Sequence, residues 1–545
     1  MNRVRSLLRA PLILVVLVVL VAALPWRTSI AHAQSVGLPE LEGAESLTEA
    51  EVLERLLVQS PDVRRARLAL REAAVDVPAA LGVLDPLVGA ELQLQRVAVP
   101  VDQGLGSGLS VNERYGLTGT YSQLFSPGTR LSASLSSAVT RSQFPFRSSL
   151  SSVTILQLLS QGLTPDQILA ELSRQSESQN TELIIDGPNF ESVISLQLTQ
   201  PFMRGFGERV TLQRRNIAAL ILDVREREIV QVASTQALQS LTVYSELRYA
   251  LAEYEVQTRS LERGQRQLVA AQAEVLAGQI APIDVDLVRQ QIAANVEAAL
   301  AAHGAVVRRS RELHQLLGDG TDAGLIAASD ALPSVRATEF APQFCEQLAA
   351  LHPDVLVAQL QVALARAQQP ETADALRPQL DGSVAVSSTG LDENYGTSWG
   401  DALRFRGTAI TAGLSFSTPL GNRAARGADE RAGLAVERAE FEVAHLGITL
   451  CFQVREVTDS LVLLAARESV ALDRVRLAER ALVAEEERFA RGLSTVQLGL
   501  DALQRLEEVE VGLLRVRTDG QIAQHRLDHL RGRLAARLQD LVVTP

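Results

Sequence analysis

Two long stretches of this chain repeat apolar residues at helical spacing without a proline to interrupt them. The first opens at Gln200-Pro201-Phe202-Met203-Arg204-Gly205-Phe206-Gly207 and runs to Ala281. The second opens at Thr418-Pro419-Leu420-Gly421 and runs to Arg491-Gly492-Leu493-Ser494. Good helix formers fill both, and seventy-odd helical residues make a rod on the order of 100 Å long. Each rod stops at a glycine, in Gly278-Gln279-Ile280-Ala281-Pro282 and in Gly492-Leu493-Ser494-Thr495, and a second helical run follows. In those following runs Val285, Val288, Ile292, Ala299, Ala302 and Val306 fall on 3-4 spacing, with Asn295 interrupting the seam. Val475, Ala478, Leu482 and Phe489 do the same before Gly492, and Leu506, Val509, Leu513 and Val516 after it. The spacing predicts two antiparallel coiled-coil hairpins of left-handed supercoil.

What precedes each hairpin is also duplicated. A helix restarts at a Pro-Asp pair, Pro61-Asp62 in one half and Pro353-Asp354 in the other. The period then switches to two in Ala90–Gln95 and Ile194–Thr199, and again in Leu380–Val386 and Ile410–Ser417. Such alternation predicts strands with one apolar face and one of Gln, Ser and Thr. A half-buried sheet and a membrane barrel with a wet lumen both fit that pattern. Between the strands of the first pair lies an insert, about 97–192, which contains a further alternating pair, Tyr115–Tyr121 and Leu131–Leu135. That hairpin either extends the strands or stands above the membrane as an external lid. The resulting plan is a first repeat at 34–318, a linker at 319–345 and a second repeat at 346–545.

The first 33 residues are of another kind. Arg3, Arg5 and Arg9 precede an apolar run from Leu12 to Leu24, and Ala31-His32-Ala33 follows. This reads as a cleaved secretory signal, because the run is too short for the ~20 residues of a spanning helix. The net charge of −12 speaks against nucleic-acid binding. All 52 basic residues are arginine, which excludes lysine Schiff-base chemistry and a P-loop lysine. Gly104-Leu105-Gly106-Ser107-Gly108 lacks the strand and helix of a phosphate cradle. The histidines on the helices, His303, His314, His352, His445, His525 and His529, lack partners at metal-site spacing and are expected at the surface. No catalytic constellation, metal or cofactor is expected. Cys345 and Cys451 are the two cysteines; an oxidising compartment permits a disulfide, and buried free thiols fit equally.

In the order and duplication of these pieces the chain resembles the TolC-like outer membrane efflux proteins. The matching segments are the export signal, the Pro61 and Pro353 helix starts, the strand-to-helix junctions at Pro201 and Pro419, and the two glycine tips. The resemblance implies a mixed, mainly helical fold: long antiparallel coiled-coil hairpins plus a transmembrane β-barrel completed by trimerisation. Each chain would give four strands to a 12-stranded barrel, with a helical tunnel below it. It also implies a homotrimer in outer-membrane lipid of a Gram-negative cell, extending into the periplasm. The tips, at Gly278, Gln279, Ile280 and Ala281 and at Gly492, Leu493, Ser494 and Thr495, would contact a periplasmic adaptor. That adaptor would in turn serve an inner-membrane pump or secretion transporter. Asp284 and Asp501, with Asp286 beside the first, match the positions of carboxylates that line the closed entrance. Leu498 stands where some relatives carry a further aspartate. A soluble periplasmic coiled-coil adaptor or scaffold would share the signal and hairpins, but has no need of the duplicated strands.

Overall fold

The computed structural model describes residues 44–102, 107–146, 157–162, 164–168, 170 and 182–542. The segment read as an export signal and residues 104–106 lie outside them. In chain order the elements are β1 (Glu45–Leu47), α1 (Glu49–Gln59), α2 (Pro61–Leu81), β2 (Leu87–Asp102), β3 (Ser107–Leu124), β4 (Arg130–Phe146) and β5 (Glu182–Pro201). Then come α3 (Gln213–Leu276), α4 (Pro282–Leu317), β6 (Ile326–Ala328), α5 (Gln343–Leu351) and α6 (Pro353–Ala375). The chain closes with β7 (Gln379–Asp392), α7 (Tyr395–Leu403), β8 (Thr408–Ser417), α8 (Arg423–Ala490), α9 (Val496–Leu530) and α10 (Arg533–Val542).

Helices α3 and α8 are the two rods, of 64 and 68 residues. Both end the same way. The N–H of Gly278 donates to Val275 O and that of Gln279 to Glu274 O; Gly492 and Leu493 donate likewise to Phe489 O and Arg488 O. This paired closure needs a left-handed residue, and the glycines supply it at φ +73° and +72°. Each tip then returns as α4 or α9. The 3-4 seam is buried as expected: Val285, Val288, Ala299, Ala302 and Val306 on α4, and Leu506, Val509 and Val516 on α9. Asn295 lies within the first seam, where its amide donates to Ser260 Oγ at 3.2 Å and accepts from Gln291 at 2.9 Å. A polar residue there fixes register, provided its hydrogen bonds are met.

At the other end of the rods stands one antiparallel sheet in the order β2-β3-β4-β5-β7-β8. This corrects the expected four strands. The alternating pair inside the 97–192 insert does not leave the sheet; it enters it, between β2 and β5. The period-two pattern gives β3 and β4 the same apolar and polar faces as their neighbours, which lets them take that place in the sheet.

Register separates the faces cleanly. Leu92, Leu117, Ser137, Ser192, Gly390 and their row sit on one face. Toward the helical end that face becomes Val88, Tyr121, Ala133, Leu196, Val386 and Ile410. The opposite face carries Gly89, Thr120, Ser134, Ser195 and Ser387. Its hydroxyls bond one another, as in Ser134 Oγ to Ser195 Oγ at 2.7 Å. At the far end α7 packs over the apolar side. Ser398 donates to Gly390 O at 2.9 Å, and the Phe190 and Tyr395 rings meet edge to face at 5.8 Å.

Between sheet and tips the helices form a waist. One core gathers Leu56, Ala233, Leu241, Tyr244, Leu247, Leu313 and Leu317; a second gathers Leu348, Val355, Val454, Leu461 and Leu527. The short strands β1 and β6 pair in parallel here, so the stretch read as a linker carries structure. Tyr244 donates its hydroxyl to Leu47 O at 2.8 Å, and Arg248 donates from Nε to Asp330 O at 3.0 Å and from its fork to Gln521 Oε1 at 2.8 Å. Cys345 on α5 and Cys451 on α8 form a disulfide beside the second core. His314, His352 and His525 are buried, not at the surface as expected, because the waist is where helices of both repeats converge.

Candidate functional site: a wall, a junction and an entrance

The functional parts run the length of the molecule. The wall is the sheet, whose apolar face exposes Leu92, Leu117, Leu135, Leu196 and Ile410. Nine residues of β4, from Leu131 to Val139, and nine of β5, from Phe190 to Leu198, alternate apolar and small or polar. A tilted strand needs 9–11 residues to cross a bilayer core. Tyr115 and Tyr121 bracket the band on β3, the placement of an aromatic girdle. Among the described residues no helix is long and apolar enough to cross a membrane.

The junction joins sheet to helices at Pro201. Past it the chain still borrows from β7, with Phe202 N donating to Leu380 O at 2.8 Å. Gly205 N donates to Asp374 Oδ2 at 2.7 Å. The turn between β3 and β4, Phe125–Thr129, docks on the same spot: Gly207 N donates to Pro127 O at 3.1 Å, and Thr129 bonds Gln200. Gly128 has φ +91°, and a Cβ on it would lie 2.4 Å from Gly205 O. Gly128→Val combines a left-handed backbone cost of about 1–2 kcal/mol with that clash. It is expected to lower the urea midpoint of the assembled protein without changing its secretion. Pro419, the counterpart of Pro201, leaves the sheet at an exposed position.

The candidate entrance is the pair of tips. Ala271, Val285, Val288, Val496 and Leu500 share one small core, with Ile280 and Phe489 against it, so both tips are held side by side. Gly278, Gln279, Ala281, Gly492, Leu493 and Thr495 are exposed, and Ile280 and Ser494 are half-buried. Leu276, Ile283 and Leu493 also point largely into solvent at this end. Asp284 accepts from Ala281 N at 3.1 Å, capping α4 at its third residue. Asp286 pairs with Arg289 at 3.1 Å, and Asp501 accepts from Gln497 at 2.9 Å. Asp284 thus stands on the first turn of α4, and Asp286 and Asp501 stand on the second turns of α4 and α9, all with local partners. Among the described residues, no group of three His, Cys, Asp or Glu side chains could hold a metal ion.

Residues 345–533 match the sequence profile of the outer membrane efflux protein family. That match spans the second repeat. It takes in β7, β8, both members of the second hairpin and the disulfide, one complete unit of the duplicated plan. Solved structures extend the likeness to the first repeat. The outer-membrane channel OprN superposes with a TM-score of 0.62 at 13% identity, covering 89% of each chain. The outer membrane protein VceC from Vibrio cholerae gives 0.59 at 15% identity, over 89% of this chain and 96% of its own. The Campylobacter jejuni CmeC outer membrane channel gives 0.60 at 11%, over 89% and 85%. At these identities the likeness is one of fold. No curated protein matches the sequence.

Sequence reasoning left one feature of this fold open and missed another. Strands β3 and β4 carried their signal openly, in the alternation of Tyr115–Tyr121 and Leu131–Leu135, but nothing local said which strands they would join. The buried waist histidines gave no signal, because burial there depends on which helices meet.

Proposed function

We propose that three copies of this chain close into an outer-membrane conduit, the exit duct of a tripartite efflux or type I secretion system. Substrate would pass without chemistry from the periplasm to the exterior, with energy supplied by an inner-membrane transporter through an adaptor seated on the tips.

The observation that carries this reading is a sheet with one apolar face, one hydroxyl-rich face and two unpaired edges, β2 and β8. An open edge is not tolerated in lipid, because each unpaired backbone group costs several kcal/mol there. The edges must therefore be closed by other copies. With six strands the two edges run antiparallel, so copies related by rotation join without breaking the alternation. The helical layer makes the same demand. On α8, Leu434, Phe441 and Ile448, and then Leu463, Val470 and Leu477, recur every seven residues, and each is more than half exposed. A heptad stripe of this kind is half of a coiled-coil interface, and a second copy of the chain offers the other half.

The test is fractionation of a Gram-negative host expressing the full chain, followed by light scattering of the detergent extract. A trimer from the outer membrane supports the conduit; a monomer released with the soluble periplasm sinks it.

At the entrance, threefold symmetry would repeat Asp284, Asp286 and Asp501 into rings that favour cations. Asp284→Ala with Asp501→Ala is expected to lower the cation selectivity of single channels and to weaken block by divalent ions. Because Asp284 also caps α4, that change is expected to cost about 1 kcal/mol of local helix stability. Unchanged reversal potentials in a salt gradient would remove these carboxylates from the gate.

A further inference from the structure

We propose that the β3–β4 hairpin is a full part of the membrane wall, so that the trimer closes eighteen strands around a lumen wide enough for solutes a twelve-stranded barrel excludes. The inference rests on the trimeric channel reading above and adds a size class of substrate to it.

Four observations carry it. Pairing is continuous from β2 to β3 over Leu87–Asp102 and from β3 to β4 over Val111–Leu124, with no gap through which the hairpin could peel away. The new strands keep the two faces of the old ones: Leu117 and Leu135 lie on the apolar side, and Thr120 and Ser134 on the hydroxyl side. The hairpin also spans the whole wall. Its turn docks at the helix junction through Pro127 and Thr129, while its other ends lead to the far side, so it crosses the bilayer and does not cap it.

The fourth observation is one of fit. Below the sheet, α2 packs on α3, α3 on α6 and α6 on α8, a row of four helices per chain. At interaxial distances of about 9 Å that row covers an arc of about 36 Å. A strand spaced about 4.8 Å from its neighbour and tilted about 40° takes about 6.3 Å of circumference. Six strands then cover about 38 Å and four only about 25 Å, so the six-stranded sheet matches the width of the helical layer that carries it. Eighteen strands close at a backbone diameter of about 36 Å and twelve at about 24 Å; inward side chains remove about 10 Å from each. The lumen widens from about 14 to about 26 Å.

The experiment uses the full-length trimer in detergent or nanodiscs. Electron cryo-microscopy is expected to show eighteen strands at the wider diameter. Twelve strands, with residues 107–146 outside the wall, would overturn the proposal while leaving a trimeric channel intact. Failure to find any membrane trimer would instead remove the channel reading itself, and this inference with it. A second readout is chemical. With both natural cysteines held in the disulfide, Thr120→Cys is expected to react with a water-soluble maleimide about 20 Å across and to lose current, whereas Leu117→Cys in lipid is spared. Equal labelling of the two positions, or exclusion of the bulky reagent from Thr120→Cys, counts against the wide wall. Excising 107–146 joins β2 to β5 on the same side of the membrane. The shortened trimer is expected to exclude that maleimide from Ser195→Cys, which the intact chain admits; continued labelling after excision argues against the hairpin as what widens the lumen.

Discussion

Replacing Cys345 and Cys451 together by serine is expected to cost the folded chain about 4–5 kcal/mol. The disulfide closes a loop with a sequence separation of 106 residues. Loop-closure entropy for a ring of that length gives about 4.7 kcal/mol, and measured values for native disulfides fall at or below such figures. The loop contains α6, β7, α7, β8 and the first part of α8, which means the whole second strand pair is tied at its base. Its loss should therefore loosen the seating of β7 and β8 as well as the second waist core around Leu348, Val355 and Val454. The check is the urea midpoint of the double serine variant against the parent, with and without reductant. Reductant should move the parent toward the variant and leave the variant where it is. Equal midpoints under both conditions would mean that the half-buried α5–α8 contact is held by packing alone.

The coiled-coil half of the fold was legible because its information is local. Gly278 and Gly492 are the only kind of residue that closes both helix ends at positive φ, and the 3-4 seam from Val285 to Val306 reads directly as a buried stripe. Strand faces were legible for the same reason, in a period of two. Strand number was not. Tyr115–Tyr121 and Leu131–Leu135 announce strands, but joining β2 and β5 across the sheet is a choice among edges some distance away in sequence, and periodicity holds no record of it. The two cysteines were visible as a possible pair, yet only the approach of α5 to α8 decides between thiols and a bond. At the tips, Asp284, Asp286 and Asp501 were singled out by position, and the structure gives each a local partner within the chain; the proposed ring would depend on other copies, which one sequence does not record.

Acidification from pH 7 to pH 4 is expected to weaken the waist by on the order of 3 kcal/mol for each of two histidines. Burial pushes His525 down to about 4, outweighing the pull of Asp528, and Arg248 and Arg537 push the same way. Burial also pushes His529 down to about 4; the neighbouring His352, its ring 5.7 Å away, adds to this, while Asp354 opposes it. His352 is itself lowered by burial. Both histidines titrate lower in the folded chain than the ordinary value of about 6.5, so the unfolded chain binds more protons throughout that window. Stability from keeping them neutral is complete above about pH 6.5 and is lost as the pH falls toward 4. Glu49, raised by desolvation, acts in the opposite sense near its own range and offsets part of the loss. His529 also lies against His352, so its contribution is coupled to that ring. Urea midpoints measured from pH 7 to pH 4 should fall steeply in the parent and flatten in His525→Gln with His529→Gln. Ser234 donates to or accepts from His529 Nδ1 at 2.9 Å, a bond glutamine can replace, so the double variant is expected to fold at neutral pH. A parent curve that is already flat would place the acid sensitivity of this chain elsewhere than in its waist.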